Sequence, residues 1–229
     1  AALLGAYGID LLGSVPTRSA AQAAAAAAAV GGPVVLKVDD PVLSRRSSLG
    51  GLRLDVDPAA AGDAWESLAR DTAARLGGSP VIHVQARAPR GVACTVRAGE
   101  DELYGPVVAF GLAGDATELL DDVSYRVPPL TTGDVRDMVR SVRAAPRLLG
   151  GTGLPPARVE ALEDLLASAS ELADDLPEVL DCVLDPVIVS TEGLVVAGAT
   201  VTVARTGRQD TARRVLPAGV TGPAPGMGE

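Results

Sequence analysis

The sequence predicts an α+β protein of two lobes whose sheets are largely antiparallel or mixed. Three observations lead there. Strand-length apolar runs and helical patterns alternate along the chain, the strands come mostly in neighbouring pairs joined by short turns, and 229 residues are enough for a real core. That length allows one domain of two lobes or two small domains. The core must be aliphatic, because hydrophobic residues make up 47% of the chain and aromatic residues only 2%.

The elements follow in order. The opening AALLGAYGIDLL reads like the middle of a helix, which would make the chain part of a longer protein. Residues 17–30, TRSAAQAAAAAAAV, follow Pro16 and are rich in the strongest helix former, so a helix is expected up to the Gly-Gly-Pro that ends it. VVLKVD (34–39) is a β-branched run of strand length, and LGGLRLDVD (49–57) alternates Leu52, Leu54 and Val56 with polar residues as a half-buried strand does. In residues 62–77, Trp65, Leu68, Ala69, Thr72 and Leu76 fall on one side at helical spacing, which predicts a helix packed on a sheet.

Further strands are expected at 80–88, 92–99 and 105–114, the last running into a glycine turn. Helices are expected at 131–145, with Thr or Asp as cap, and at 156–173. Strands at 179–189 and 194–204 read as a hairpin around STEG. From Arg205 on, the Gly/Pro-rich tail has too little apolar content to fold and is expected to be flexible.

Composition narrows the function classes. A net charge of −9 with scattered cations argues against a nucleic-acid partner. No apolar run reaches the roughly 20 residues needed to cross a bilayer, and no secretory pattern opens the chain, so a cytoplasmic protein without a membrane partner is expected. Cys94 and Cys182 stand far apart without a second Cys or His at metal-ligand spacing, which reads as two buried free thiols.

Lys37 is the sharpest oddity, a charged amine inside an apolar strand. Either something anionic meets it, or its stem is buried and its amine reaches solvent or a carboxylate such as Asp39. Gly50-Gly51 alone reads as a hairpin turn. His83, the one histidine, reads as a strand residue rather than a catalyst, with Gln85 on the same face. Asp181 and Asp185 share a face of their strand, but at about 13 Å apart they cannot bind one cation. Read this way, the residues reach an anion or nucleotide site around Lys37 and no further.

Taken together, AYGID, GGPVVLKVDDP, SLGGLRL, VIHVQARAPRG, YGPVVAFGLAG, YRVPPL, LLGGTGLPP and LDPVIV make residues 3 to 204 resemble the ATP-grasp domain of ADP-forming (NDP-forming) acyl-CoA synthetases. The same domain occurs fused to bacterial lysine acetyltransferases, often as a sensor. The resemblance implies two α+β lobes clasping ATP between antiparallel sheets. Residues 1–16 would be an N-terminal helix and linker, 17–88 the N-terminal lobe, 89–204 the C-terminal lobe and 205–229 a flexible tail. By position, Lys37 is similar to the strand lysine that meets the ATP phosphates, Gly50 and Gly51 to the loop that covers them, Gln85 and Ala86 to the adenine hinge, and Gly111 and Gly114 to the strand-exit turn.

Departures from the family pattern carry as much information. Where active relatives place His-Lys, with the histidine accepting a phosphoryl group, this chain has Arg45-Arg46, and arginine cannot take that part. A glutamate expected after the hinge falls on Ala93, one of two magnesium ligands on Val183 and the other on Asp185, and a further aspartate on Gly198. Phosphoryl transfer depends on positioning and on metal neutralisation of charge. The expectation is therefore a degenerate ATP-grasp domain that binds a nucleotide, CoA or another phosphorylated ligand beside neighbouring synthetase or acetyltransferase domains. In it Lys37, Arg45 and Arg46 keep an electropositive pocket, and magnesium has Asp185 alone. The alternatives are an active ATP-binding lobe of an ADP-forming acyl-CoA (acetate-CoA) ligase, and an interaction scaffold without a ligand.

Overall fold

The computed structural model describes residues 1–40, 43, 50–76, 78–101, 103–114, 119–151, 153 and 155–205. Two antiparallel sheets organise them. The smaller has the order β1 (Ser14–Thr17), β4 (Ile82–Ala86), β2 (Val34–Val38), β3 (Leu52–Val56). The larger runs β10 (Ala199–Val203), β8 (Val179–Val189), β5 (Val92–Asp101), β6 (Gly105–Leu112), β7 (Val123–Arg126), and β9 (Leu194–Val196) pairs with β8 off this path.

Each sheet buries one face under helices. On the smaller lie α2 (Ala20–Val30) and α3 (Ala61–Leu76), and Ala23, Ala27, Leu36, Leu68, Ile82 and Val84 form its core. Alanine serves well in α2 because its small side chain lets the helix approach closely. On the larger sheet lie α4 (Thr132–Ser141) and α5 (Val159–Asp175), with Phe110, Met138, Leu162, Leu166, Leu172 and Leu184 fully buried. The short helix α1 (Ala2–Ala6) joins this second core through Leu4, and the segment after it through Ile9. No helix among the described residues is long and apolar enough to cross a membrane.

Several boundaries differ from the sequence expectation, each for a local reason. The helix expected from residue 17 starts at Ala20, because Ser19 is extended and its hydroxyl accepts from the Gln22 amide as an N-cap. The residues before it, Ser14 to Thr17, form β1, where Pro16 is tolerated because this is an edge strand. The helix expected at 131–145 ends at Ser141. Thr131 and Asp134 close a capping box at its start, and Pro146 falls in a separate short 3-10 turn. Strand β7 carries no strong alternation and was not expected. Of the expected tail, residues 206–229 lie outside the described residues.

Cys94 on β5 and Cys182 on β8 sit inside the larger core. Burial pushes the Cys94 thiol up to about 12 and the Cys182 thiol up to about 11. The thiolate is the reactive form, so at pH 8 almost none is present in the folded chain. Iodoacetamide should label neither cysteine in the native protein within hours and both within minutes in urea, as read by intact mass. Rapid native labelling would contradict this packing.

Candidate functional site

A cleft of about 800 Å³ separates the open faces of the two sheets. Strand alternation decides what faces it. In β2, Val34, Leu36 and Val38 are buried beneath the helices, which turns Val35 and Lys37 the other way. In β4, Ile82 and Val84 take the core side and leave His83 and Gln85 on the cleft side. Antiparallel register then sets Lys37 opposite His83 and Val35 opposite Gln85. Ser14 of β1 is the register partner of Gln85 and also lines the cleft.

Lys37 does not pair with Asp39. Its Nζ donates instead to the carbonyl of Ala197 at 2.9 Å, in the turn between β9 and β10 on the opposing wall. Burial lowers the pKa of this amine, since desolvation penalises its charged form. Gln85 is buried, and its Nε2 donates to the carbonyl of Leu12 at 2.7 Å, while the Leu12 amide donates to Val196 of β9 at 2.8 Å. The extended segment at Leu12 thus stitches the smaller sheet to the larger. Ala86 ends β4 at the cleft margin, and residues 87–91 lead across to β5.

The opposing wall comes from β5, β8 and the β9–β10 turn. Asp185 lines it, accepting from the Thr95 hydroxyl at 3.2 Å, and its own amide donates to Gly198 at 2.9 Å. Ala93, Val183 and Gly198, the positions where acidic residues were expected, line the same cleft. Gly198 is sterically required: a Cβ there would fall inside the van der Waals shell of the Asp185 carbonyl oxygen. Magnesium asks for an octahedron of oxygens, usually with one or two carboxylates and the ligand's phosphates. Among the described residues of this wall Asp185 is the one carboxylate and it accepts from Thr95, while Asp39 and Asp40 line the cleft from the β2 side, so this wall offers a magnesium ion at most one carboxylate.

The remaining expected residues support the cleft from its edges. Gly50 has a φ of +81°, and the Gly51 carbonyl accepts from the Val38 amide at 3.0 Å. A side chain at Gly51 would collide with the backbone of Leu43, so the pair returns the chain tightly onto β2. Arg45 and Arg46 lie outside the described residues. Gly111 is a β6 residue opposite Thr95 and Val123, Gly114 adopts a φ of +131°, and Ala113 between them lines the cleft.

The structure therefore brings together Lys37, Gln85, Ala86 and Asp185, and adds His83, Ser14, Arg87 and Arg90, which sequence reasoning left out. A signal for His83 existed. Once Gln85 is assigned to the cleft, the period of two assigns His83 to it as well.

Comparison with known proteins gives one answer. A family model described as "ATP-grasp domain" matches residues 1–203. The chain is 30% identical over 203 residues to the beta subunit of acetate–CoA ligase [ADP-forming] I from Pyrococcus furiosus, covering 86% of each. It is 35% identical over 196 residues to acetate–CoA ligase [ADP-forming] I from Archaeoglobus fulgidus, where it spans 85% of this chain and 29% of that protein. Among solved structures, a dinucleotide-forming acetyl-coenzyme A synthetase from Ca. Korarchaeum cryptofilum, in complex with coenzyme A and Ca-AMPCP, superposes with a TM-score of 0.81. It is 30% identical, covering 89% of this chain and 90% of that one.

The close approach at Gly198 is testable by itself. Gly198→Ala should cost about 1–3 kcal/mol in urea unfolding, the usual penalty for forcing atoms into packed space. An unchanged midpoint would mean that the β9–β10 turn does not press on Asp185.

Proposed function

The chain belongs to the ATP-grasp domains of the ADP-forming acyl-CoA synthetase family, and from that premise we propose that it is a non-catalytic member. It is a clamp that binds a nucleotide or other phosphorylated ligand between its sheets without passing on a phosphoryl group. One observation supports this above others: Ala93, Val183 and Gly198 occupy the cleft wall that faces Lys37, so the acidic side chains are missing at the place where a metal would have to be gripped.

In this reading Lys37 exchanges its carbonyl partner for a ligand phosphate. That exchange is favourable because a phosphate adds an opposite charge that the neutral carbonyl lacks, and opposite charges in contact attract strongly away from bulk water. Gln85 and Ala86 border the place for a base, with backbone groups at the end of β4 supplying recognition. By the family resemblance Gly50 and Gly51 belong to the segment that meets phosphates, and Arg45 and Arg46 bring two permanent cations suited to phosphate oxygens. Arg45 stands where active relatives carry the accepting histidine, so the relay has no acceptor. Nucleotide triphosphate, when bound in a catalytic site of this kind, supplies the phosphoryl group; here the chain's residues hold and orient it.

The Pyrococcus relative is named as a subunit and the Archaeoglobus relative is more than three times as long as the matched region. We accordingly propose that this domain works beside other synthetase-type or acetyltransferase domains, with a CoA-type ligand as a further candidate. The second reading, an active ligase lobe holding magnesium on Asp185, is favoured only by that carboxylate's place in the cleft.

Calorimetry with ATP, ADP, CoA and acetyl-CoA, each with and without magnesium, separates these readings. Binding of at least one phosphorylated ligand is expected, and Lys37→Ala should weaken it at least about tenfold, the worth of one charge-assisted hydrogen bond. Incubation with γ-labelled ATP should leave the protein unlabelled. A phosphorylated protein would establish the active reading, and silence with every ligand would leave a scaffold.

A further inference from the structure

Lys37 is the only lysine in 229 residues, beside nineteen arginines, and His83 is the only histidine. The fold sets these two singular side chains directly opposite each other on β2 and β4, facing one cleft. We propose that His83 is a ligand-contact residue of this chain, the partner of Lys37 in gripping a phosphoryl oxygen, with Ser14 as the residue that positions its ring. This rests on the reading that the cleft binds a phosphorylated ligand, and it assigns a role to a histidine for which the family pattern has no counterpart.

The ring's two edges are used differently. Ser14 Oγ lies 3.1 Å from His83 Nδ1. On the other edge, Nε2 is 3.9 Å from Asp39 Oδ2, beyond hydrogen-bond reach. In the proposed arrangement the serine hydroxyl donates to Nδ1 and the N–H sits on Nε2, the edge that faces the cleft carboxylate. Which nitrogen carries the proton decides what a histidine offers, and here it offers a donor.

The donor is held in place and not consumed. The side chain is only 24% exposed, so the ring is fixed between β1 and β2, and among the described residues no acceptor lies within hydrogen-bond distance of Nε2. Lys37, one strand away, meets the same side of the cleft. Asp39 is 66% exposed and turned towards water, where its charge is screened, so it does not close the site to an anion. Across the cleft the charged group is Asp185, and Arg87 and Arg90 flank the far end of β4.

A single histidine makes a single imidazole signal in untagged protein, so nitrogen-15 NMR reads this residue without mutation. Titration with ADP, and separately with inorganic pyrophosphate, should shift the Nε2 resonance with the same saturation as calorimetry. The free protein should show the Nε2–H form, and Ser14→Ala should blur that preference. His83→Leu should weaken ADP binding about tenfold with the fold intact by circular dichroism, while His83→Asn, which keeps a donor, should recover most of the loss. If ADP binds in a Lys37-dependent way but the imidazole signal stays still and His83→Leu binds normally, the His83 contact is wrong and the cleft reading survives. If neither ADP nor pyrophosphate binds, both fall.

Discussion

Everything at the candidate site depends on one electrostatic constraint: an ammonium group set in an apolar strand, facing a cleft, and hydrogen-bonded among the described residues to a backbone carbonyl rather than a carboxylate. Burying a charge costs several kcal/mol unless polar partners replace the water it loses. The partner this chain supplies to Lys37 is a neutral backbone carbonyl from the opposite sheet. That contact satisfies one of three N–H groups and leaves the positive charge uncompensated. A phosphate would bring an opposite charge to it, and burial lowers the pKa of the amine.

Much of this architecture was legible in the sequence, because its elements obey simple periodicities. Of the expected α3 stripe, Trp65, Leu68, Ala69 and Thr72 pack where helical spacing puts them while Leu76, at the helix end, is exposed, and β8 spans the same residues that the apolar run suggested. What escaped had no such signature. Strand β1 contains Pro16 and three exposed residues, and it exists because β4 has a free edge to pair with. Strand β7 is four residues long and has mixed burial. His83 is a strand residue on the same face as Gln85, as its spacing suggested. Alternation tells which residues share a face, but only the pairing of β4 with β2 tells that the face is the one carrying Lys37.

The departures at the cleft are geometrically coupled rather than independent. Gly198 stands where an aspartate was expected, and its missing side chain is what permits the β9–β10 turn to press against Asp185. Two hydrogen bonds hold that approach, from the Asp185 amide to Gly198 and from the Ala197 amide to Pro186. The same turn then presents the Ala197 carbonyl to Lys37. Replacing an acidic side chain by glycine thus removes a candidate metal ligand and also builds a backbone acceptor for the lysine. Restoring the aspartate would need the turn to move.

Composition adds an independent argument against a bare scaffold. Nineteen of twenty basic side chains here are arginine, so a cation required only for solubility or surface pairing is written as arginine throughout. An arginine at position 37 would replace a compact point charge by a wide planar fork beside Val35, Leu52 and Ala197. A compact ammonium on a flexible stem fits there and approaches an oxygen from any direction. The one exception to the arginine habit therefore falls at a half-buried cleft position on the strand opposite His83.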